Sequence, residues 1–199
     1  HKVNNLFLEK VELTDNIKQK LGRNTLNVFD VGAVGIPEKN KFNFALDKNF
    51  TKIYKVDDIL NKEKLSNEIY INDLLWSKNE EKNFYLTKNK VSSSLYKPNF
   101  QILDKFKNFD DHTLVEQKKV FTKSVSGMSN IDKLDFIKLD AEGAELEILK
   151  GFDKKIEEVM GIEIEVQFIE RYIESPLFFE VNKFLNDNGF ELYLINSES

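Results

Sequence analysis

Short apolar runs and stretches of helical spacing alternate along this chain. The apolar runs are five to seven residues long, as buried strands are. They cover residues 26–31, 52–56, 69–75, 134–140 and 161–166. Apolar positions with helical spacing occur before and between them, at residues 3–21, 141–151 and 176–189. This alternation predicts an α/β fold in which a mostly parallel central sheet is flanked by helices.

The pattern changes after the third predicted strand. Residues 83–87 and 114–125 alternate between apolar and polar positions, which favours strands with one solvated face. Between them lie a polar loop at residues 91–98 and apolar positions spaced by three over residues 99–107, which predict a short helix. We therefore expect a hairpin insertion after strand three.

The two ends of the chain differ in character. Residues 1–25 are predicted as a helical segment and residues 26–195 as the α/β core, so that residues 1–199 form a single domain. Ser175 is placed to cap the last helix. Phe190–Ile195 is rich in residues that favour strands and is predicted as the final strand.

The first apolar run ends in two glycines, Gly32 and Gly35. Pro37 follows, a residue that is tolerated in the first turn of a helix. A strand, a glycine turn and a helix start form the nucleotide-binding corner of doubly wound α/β folds. A short glycine motif is a weak signal. Glycines that only serve a turn explain the pattern equally well.

Acidic residues stand at the predicted carboxyl ends of three strands, namely Asp30, Asp57 and Asp140, and Asp73 lies near the end of another. Ligands of open α/β sheets bind at that edge. An acidic residue after the second strand accepts two hydrogen bonds from a ribose diol, and the distance of Asp57 from Gly32 is close to the expected spacing of about 20 residues. The alternative is that Asp57 only helps to cap the next helix.

The glycine turn does not have the form that a dinucleotide requires. A pyrophosphate binder has three glycines in the order Gly-x-Gly-x-x-Gly, whereas Gly32 and Gly35 are followed by Ile36, Pro37 and Glu38. An acidic residue at a helix start disfavours a phosphate. A nucleoside ligand without phosphates fits better, and S-adenosylmethionine is the common one.

Composition excludes several classes of protein and of site. With a net charge of -5, the chain has no broad basic field, so we expect no nucleic-acid partner. No apolar run approaches the roughly 20 residues of a membrane span. Cysteine is absent and the two histidines are His1 and His112, which disfavours disulfides, thiolate metal sites and a histidine-based triad. A cytoplasmic location is expected from the lack of cysteine and of an export signal.

Three motifs give the chain a resemblance to the FkbM family of S-adenosylmethionine-dependent methyltransferases. They are Asp30-Val31-Gly32-Ala33-Val34-Gly35, Ser93-Ser94-Leu95-Tyr96-Lys97-Pro98-Asn99 and the more specific Asp135-Phe136-Ile137-Lys138-Leu139-Asp140-Ala141-Glu142-Gly143-Ala144-Glu145. The resemblance extends from about residue 26 to residue 195. It implies a Rossmann-like class I methyltransferase fold and, usually, O-methylation of a glycan or natural product.

The resemblance also implies a set of cofactor contacts. Asp30, Gly32, Ala33 and Gly35 would line the methionine part of S-adenosylmethionine. Asp57 would hold the ribose, where the family more often has a glutamate followed by proline, and Asp73 would lie near the adenine. Asp140 and Glu142 would border the methyl-transfer centre.

A hydroxyl acceptor must lose its proton during methyl transfer. Because histidine is almost absent, a carboxylate is the natural base. We expect Asp140 to serve first, with Glu142 and Glu165 next. The same three carboxylates could offer oxygen ligands to Mg²⁺, although nothing in their spacing requires a metal.

Two further segments are candidates for the acceptor side. Ser94 and Tyr96 lie in a polar loop whose small side chains could hydrogen-bond sugar hydroxyls, or which could simply be a hairpin tip. Arg171 and Tyr172 follow the fifth predicted strand and could hold a charged group of the substrate, or lie in a surface turn. The sequence does not indicate the oligomeric state.

Two other functions remain open from the sequence. A nicotinamide-dependent oxidoreductase shares the glycine turn, and the missing third glycine argues against it. A cofactor-binding fold that has lost catalysis is the second alternative. The unusual polar stretch after Gly35 and the short carboxylate at Asp57 give it some weight.

Overall fold

In the described part of the chain, the central sheet has five strands, and each neighbouring pair in it runs parallel. A computed structural model describes residues 15–22, 24–32, 49–57, 66–107 and 109–196 of the chain. Its strands are β1 (Leu26–Val31), β2 (Thr51–Val56), β3 (Glu68–Ile71), β4 (Leu74–Leu75), β5 (Glu80–Thr87), β6 (Leu114–Lys123), β7 (Phe136–Leu139) and β8 (Gly161–Ile164). In space the order of the five is β3-β2-β1-β7-β8, which confirms the predicted α/β fold.

A second, three-stranded sheet lies between β3 and β7 in the chain. Its order is β4-β6-β5, with β5 and β6 antiparallel and β4 parallel to β6. The two long strands are joined by residues 88–113, which include two short 3₁₀ turns, Lys90–Ser92 and Phe109–His112, and the helix α1 (Phe100–Leu103). The connection is therefore a folded loop of its own, and one of its turns reaches the edge of the central sheet.

The remaining helices pack beside the central sheet. Helix α2 (Glu145–Gly151) follows β7 after a tight turn, and α3 (Phe178–Asp187) follows β8. Residues 15–21 are also helical. This agrees with the end of the helix predicted over residues 3–21, whose first part lies outside the described residues.

The two strands β1 and β2 are buried on both faces, as parallel strands covered by other elements are. All six residues of β1 are buried. Phe29 and Val31 belong to the larger apolar cluster, whereas Leu26 and Val28 belong to a smaller one against which Ile17 and Leu21 pack. Because successive side chains of a strand point to opposite faces, one strand contributes to both clusters.

Two of the predicted strands are wrong. The third predicted strand, residues 69–75, is two strands in two different sheets, because the chain leaves the central sheet at residues 72–73. Phe190–Ile195 is not a strand. Its apolar side chains have no sheet neighbour in the described part of the chain, and Tyr193 is 98% exposed.

Two helix starts also differ from the prediction. Ser175 does not cap α3, because its hydroxyl donates to the Tyr172 carbonyl oxygen at 2.8 Å. The helix begins at Phe178, and the Glu180 carboxylate accepts from the backbone N–H of Leu177 at 2.9 Å. The helix predicted over residues 99–107 is limited to the four residues of α1.

Across the parts of the chain that are described, no helix combines the length and apolarity that a membrane span needs.

Candidate functional site

A cleft opens at the carboxyl ends of β1, β2 and β7. Its far wall is the loop at residues 90–95, from the connection between β5 and β6. Among the described residues, those lining it are Val31, Gly32, Val56, Asp57, Asp73, Leu74, Leu75, Phe84, Lys90, Val91, Ser93, Ser94, Leu95, Asp140, Ala141, Glu142, Ala144 and Ile148. The cleft encloses about 130 Å³, which is less than the roughly 300 Å³ at which ligand pockets begin. A ligand of nucleoside size would therefore extend along the open edge.

Gly32 is required by the close approach of two strands. Its φ of +73° lies in the left-handed region, and a Cβ atom built on it would overlap the backbone carbonyl oxygen of Asp140. The backbone N–H of Asp140 in turn donates to the Val31 carbonyl oxygen at 3.2 Å. The glycine therefore allows the ends of β1 and β7 to meet at the floor of the cleft. Ala33 and Gly35 lie outside the described residues.

Besides Gly32, two carboxylates among the predicted cofactor contacts line the cleft. Asp57 follows β2, and its backbone N–H donates to the Ile71 carbonyl oxygen at 3.2 Å. Asp73 lies beyond β3, and its carboxylate forms an ion pair with Lys123 at 2.8 Å. Both carboxylates stand where the ends of adjacent parallel strands meet.

Asp30 does not line the cleft. It is 5% exposed and lies 3.6 Å from the ammonium group of Lys138 on the neighbouring strand. Burial raises its pKa above the ordinary range, and the charges of Lys138 and Lys55 oppose that rise. The arrangement makes Asp30 part of a buried charge network beneath the cleft rather than a group presented to a ligand.

Three carboxylates converge at one side of the cleft. Single oxygen atoms of Asp140, Glu142 and Glu165 lie within 4.8 Å of one another. Glu165 follows β8 and does not line the cleft, whereas the other two do. Its pKa is raised to about 8, chiefly by burial and then by the charges of Glu142 and Asp140. Oxygen atoms in this arrangement are of the kind that could hold Mg²⁺.

Arg171 supplies positive charge to this cluster. Its guanidinium group lies 3.6 Å from Glu142 and 3.8 Å from Glu165. On the other side, Lys138 lies 3.5 Å from Asp140. Like charges this close disfavour joint ionisation, and the two cations offset part of the negative charge of the cluster.

Glu145 closes the turn between β7 and α2. One of its carboxylate oxygens accepts from the backbone N–H groups of Ala141 at 2.8 Å and Gly143 at 3.2 Å. The residue is 4% exposed, and this burial raises its pKa to about 7. Its contacts are with the turn itself, so its role there is structural.

We expect Glu145→Gln to reduce the pH dependence of stability. An acid whose pKa is about 4.5 when unfolded and about 7 when folded stabilises the fold below the lower value, and this contribution is lost as the pH rises through 7. Glutamine keeps the accepting oxygen without the charge. Its variant should therefore be more stable than the parent at pH 8, by at most about 3 kcal/mol.

Urea unfolding of both proteins at pH 5 and pH 8 measures this difference. An exposed matched variant, Glu157→Gln, should leave the pH dependence unchanged. Equal slopes of stability against pH for the parent and Glu145→Gln would contradict the role assigned to this carboxyl.

The side chains of the three predicted acceptor residues do not converge in the cleft, although the backbone N–H of Tyr96 donates to the Ser94 hydroxyl at 3.0 Å. Ser94 lines the cleft, but its hydroxyl donates to the backbone carbonyl oxygen of Glu142 at 2.7 Å. Tyr96 does not line the cleft; its ring packs against buried Trp76 with centroids 5.4 Å apart. The Arg171 guanidinium contacts the carboxylates of Glu142 and Glu165 and the ring of His112.

Two further residues complete the cluster: Tyr172, which the sequence indicates together with Arg171, and His112, for which the sequence predicts no role. His112 is buried, and its Nε2 lies 3.1 Å from the Arg171 guanidinium. Because a guanidinium only donates, this nitrogen is the acceptor. The Tyr172 hydroxyl lies 2.7 Å from a carboxylate oxygen of Glu142. The adjacency of Tyr172 to Arg171 was a usable signal, whereas nothing near His112 in sequence points to this site.

The charged groups along the cleft are mostly acidic. Four carboxylates and one ammonium group are among its described lining residues: Asp57, Asp73, Asp140, Glu142 and Lys90. The rest of that lining is apolar or hydroxyl-bearing. Such a surface favours a ligand that is cationic or neutral and disfavours one that carries phosphates.

Comparison with protein families places more than half of the chain in a known domain family. A family model described as the methyltransferase FkbM domain matches residues 60–192, which is more than half of the chain. The chain matched no curated protein and no solved structure. The matched segment includes β3, the second sheet, and the elements that carry Asp140, Glu142 and Arg171.

Proposed function

This chain belongs to the FkbM methyltransferase family, and on that premise we propose that it transfers the methyl group of S-adenosylmethionine to a sugar hydroxyl of a glycan or polysaccharide. The observation that carries the proposal is the acidic cleft at the carboxyl ends of the parallel strands. Bound there, S-adenosylmethionine supplies a methyl group already activated by a sulfonium.

The charge of the cleft fits this donor. A sulfonium is cationic and the nucleoside carries no phosphate, so four nearby carboxylates favour it. The pyrophosphate of a nicotinamide cofactor would meet the same carboxylates, and Lys90 is the cation among the described lining residues. Lys123, Lys138 and Arg171 offset three of the carboxylates, but these cations do not line the cleft. The cleft therefore supports the methyltransferase over an oxidoreductase.

The strand ends suggest how the donor is held. We assign the ribose hydroxyls to Asp57, because a carboxylate accepts both hydrogen bonds of a diol. The apolar side chains of Val56, Leu74 and Phe84 line the same part of the cleft and suit an adenine ring. Asp73 lies beside them, where it can accept from the adenine amino group.

The opposite part of the cleft is assigned to the acceptor. Asp140 and Glu142 line it and are the carboxylates that can reach a hydroxyl proton, whereas Glu165 stands behind them. The protein's contribution there is alignment, which can supply roughly 7–11 kcal/mol to such a displacement. The choice of a sugar as acceptor rests on the family and on no contact in the structure.

We expect the protein to bind S-adenosylmethionine and its demethylated product, and Asp57→Ala to weaken both by about 10- to 100-fold. The loss corresponds to hydrogen bonds with a charged group, which contribute about 1.5–3 kcal/mol. Isothermal titration calorimetry with the full chain measures the affinities. Asp104→Ala, at an exposed position outside the cleft, is the matched control.

Three outcomes of the titration would decide between the functions. Equal affinity of the Asp57→Ala and Asp104→Ala proteins for the donor would remove Asp57 from the ribose site. Binding of NAD in place of the donor would favour the oxidoreductase. A lack of binding up to millimolar donor would indicate a fold that no longer uses it.

A further inference from the structure

We infer that Glu142 takes the proton from the acceptor hydroxyl and that Tyr172 is the positioning residue that holds the Glu142 carboxylate for this step. The inference rests on the proposed function and assigns one base among the candidate carboxylates. Four kinds of observation support it: the backbone of Glu142, its contacts, the burial of Tyr172 and the surroundings of the competing carboxylates.

Glu142 has a backbone conformation that other contacts must maintain. Its φ of +49° is in the left-handed region, which costs a non-glycine residue about 1–2 kcal/mol. The Ser94 hydroxyl donates to its carbonyl oxygen at 2.7 Å, and Arg171 lies 3.6 Å from its carboxylate. Such local strain, retained at a cleft by surrounding contacts, is typical of functional positions.

Tyr172 is a buried residue that contacts the Glu142 carboxylate through its hydroxyl. It is fully buried, with 0% of its side chain exposed, and its hydroxyl lies 2.7 Å from Glu142 and 3.0 Å from the Ser92 carbonyl oxygen. Backbone hydrogen bonds on both sides fix its position, from Ile173 to Lys97 and from Asn99 to Arg171, each 2.8 Å long. Burial raises the pKa of Tyr172, so the hydroxyl stays protonated and remains a donor.

The other two carboxylates are less suited to accept the proton. The Asp140 side chain is 48% exposed and paired with Lys138 at 3.5 Å, and no hydroxyl of the protein fixes its position in the described structure. Glu165 does not line the cleft. The Glu142 side chain is 17% exposed and lines the cleft, and Tyr172 and Arg171 hold its carboxylate in one orientation.

The step balances without a further reactant. The acceptor O–H proton passes to a Glu142 carboxylate oxygen while the acceptor oxygen forms a bond to the methyl carbon. The electron pair of the breaking carbon–sulfur bond remains on sulfur and neutralises the sulfonium charge. The proton then leaves Glu142 to solvent along the open edge of the cleft, and Arg171 and Tyr172 keep the carboxylate in place.

The first test needs no acceptor. The titration midpoint of Glu142 is followed by carbon-13 NMR of glutamate side-chain carboxyls, and Glu142→Gln identifies its signal. Because the Tyr172 hydrogen bond lowers the pKa of Glu142, Tyr172→Phe should raise the midpoint. Tyr54→Phe is the matched control, since Tyr54 is equally buried and its hydroxyl contacts the carboxylate of Asp132 at 2.9 Å, away from the cleft.

A second variant changes the same hydrogen bond in the opposite direction. 3-Fluorotyrosine at position 172 keeps the shape of the side chain and strengthens its hydroxyl as a donor. It should lower the Glu142 midpoint. The 3-fluorotyrosine measurement tests the hydrogen bond to Glu142 even where Tyr172→Phe does not fold. An unchanged Glu142 midpoint in the variant that folds would overturn the positioning role.

The second test measures transfer of labelled methyl to a panel of methyl glycosides of hexoses, deoxyhexoses and uronic acids. Tyr172→Phe should lower kcat by about 10- to 100-fold with little change in the KM for S-adenosylmethionine, and move the acidic limb of kcat/KM to higher pH. An unmoved limb, or one moved by Asp140→Asn alone, would overturn the assignment of Glu142. Donor binding without transfer to any glycoside would instead count against the proposed acceptor class and leave the NMR result to decide the role of Tyr172.

Discussion

Gly32→Ala should lower the free energy of unfolding by more than about 3 kcal/mol. A methyl group at this position would overlap the backbone carbonyl oxygen of Asp140, and backbone cannot rotate away as a side chain can. The left-handed φ adds the cost of about 1–2 kcal/mol that a Cβ atom meets there. Relief of the overlap would separate the ends of β1 and β7 at the floor of the cleft, so donor binding should be lost in whatever fraction still folds.

Gly22→Ala is the control that separates these two costs. Gly22 has a similar φ of +63°, and a Cβ built on it meets nothing within 4 Å. Its variant should therefore show the conformational cost alone. Urea unfolding of both variants gives the difference. Equal losses of stability at the two positions would show that the strand ends are not in the close contact described above.

Glu68→Gln should cost about 3–5 kcal/mol of stability, because it leaves a buried ammonium group without its charged partner. Lys55 and Glu68 form an ion pair 2.8 Å long between β2 and β3, and their side chains are 5% and 0% exposed. The Tyr70 hydroxyl donates to the second carboxylate oxygen at 2.8 Å. A neutral amide keeps the shape of the carboxylate and removes its charge.

Two further proteins make this prediction specific. Replacing both partners with apolar residues, Lys55→Met with Glu68→Leu, should recover part of the loss, since neither charge of the pair remains, while buried Asp30 loses the compensating charge of Lys55. Asp187→Asn breaks an exposed pair with Lys183, 2.7 Å long with side chains 60% and 75% exposed, and should cost less than about 1 kcal/mol. A cost for Glu68→Gln as small as that of the exposed pair would contradict the burial of Lys55.

Local patterns predicted the central strand β1 well and the segment after the last helix poorly. The predicted bounds of β1 hold because an all-buried central strand is a continuous apolar run. Phe190–Ile195 has the composition of a strand but no neighbour to pair with in the described part of the chain. Strand propensity only becomes structure where a neighbour supplies the hydrogen bonds.

The residues of the candidate site could also be predicted only in part from the sequence. Asp57, Asp73 and Asp140 could be named in advance, because parallel strands bring their carboxyl ends to one edge. Tyr96 could not be separated from Ser94 by sequence, since both stand in one polar loop and only packing turns Tyr96 toward Trp76. Glu145 and Glu142 have the same charge, yet one accepts from the turn's own backbone and the other faces the cleft.

The sequence by itself determined the order of strands and helices, the acidic character of the strand ends and the family. These follow from local periodicity, residue type and short motifs, all of which are written along the chain. Only the tertiary structure decided which groups meet. The contact of Tyr172 with Glu142 and that of His112 with Arg171 join residues 30 and 59 positions apart. Such contacts depend on how whole elements pack, which no local pattern records.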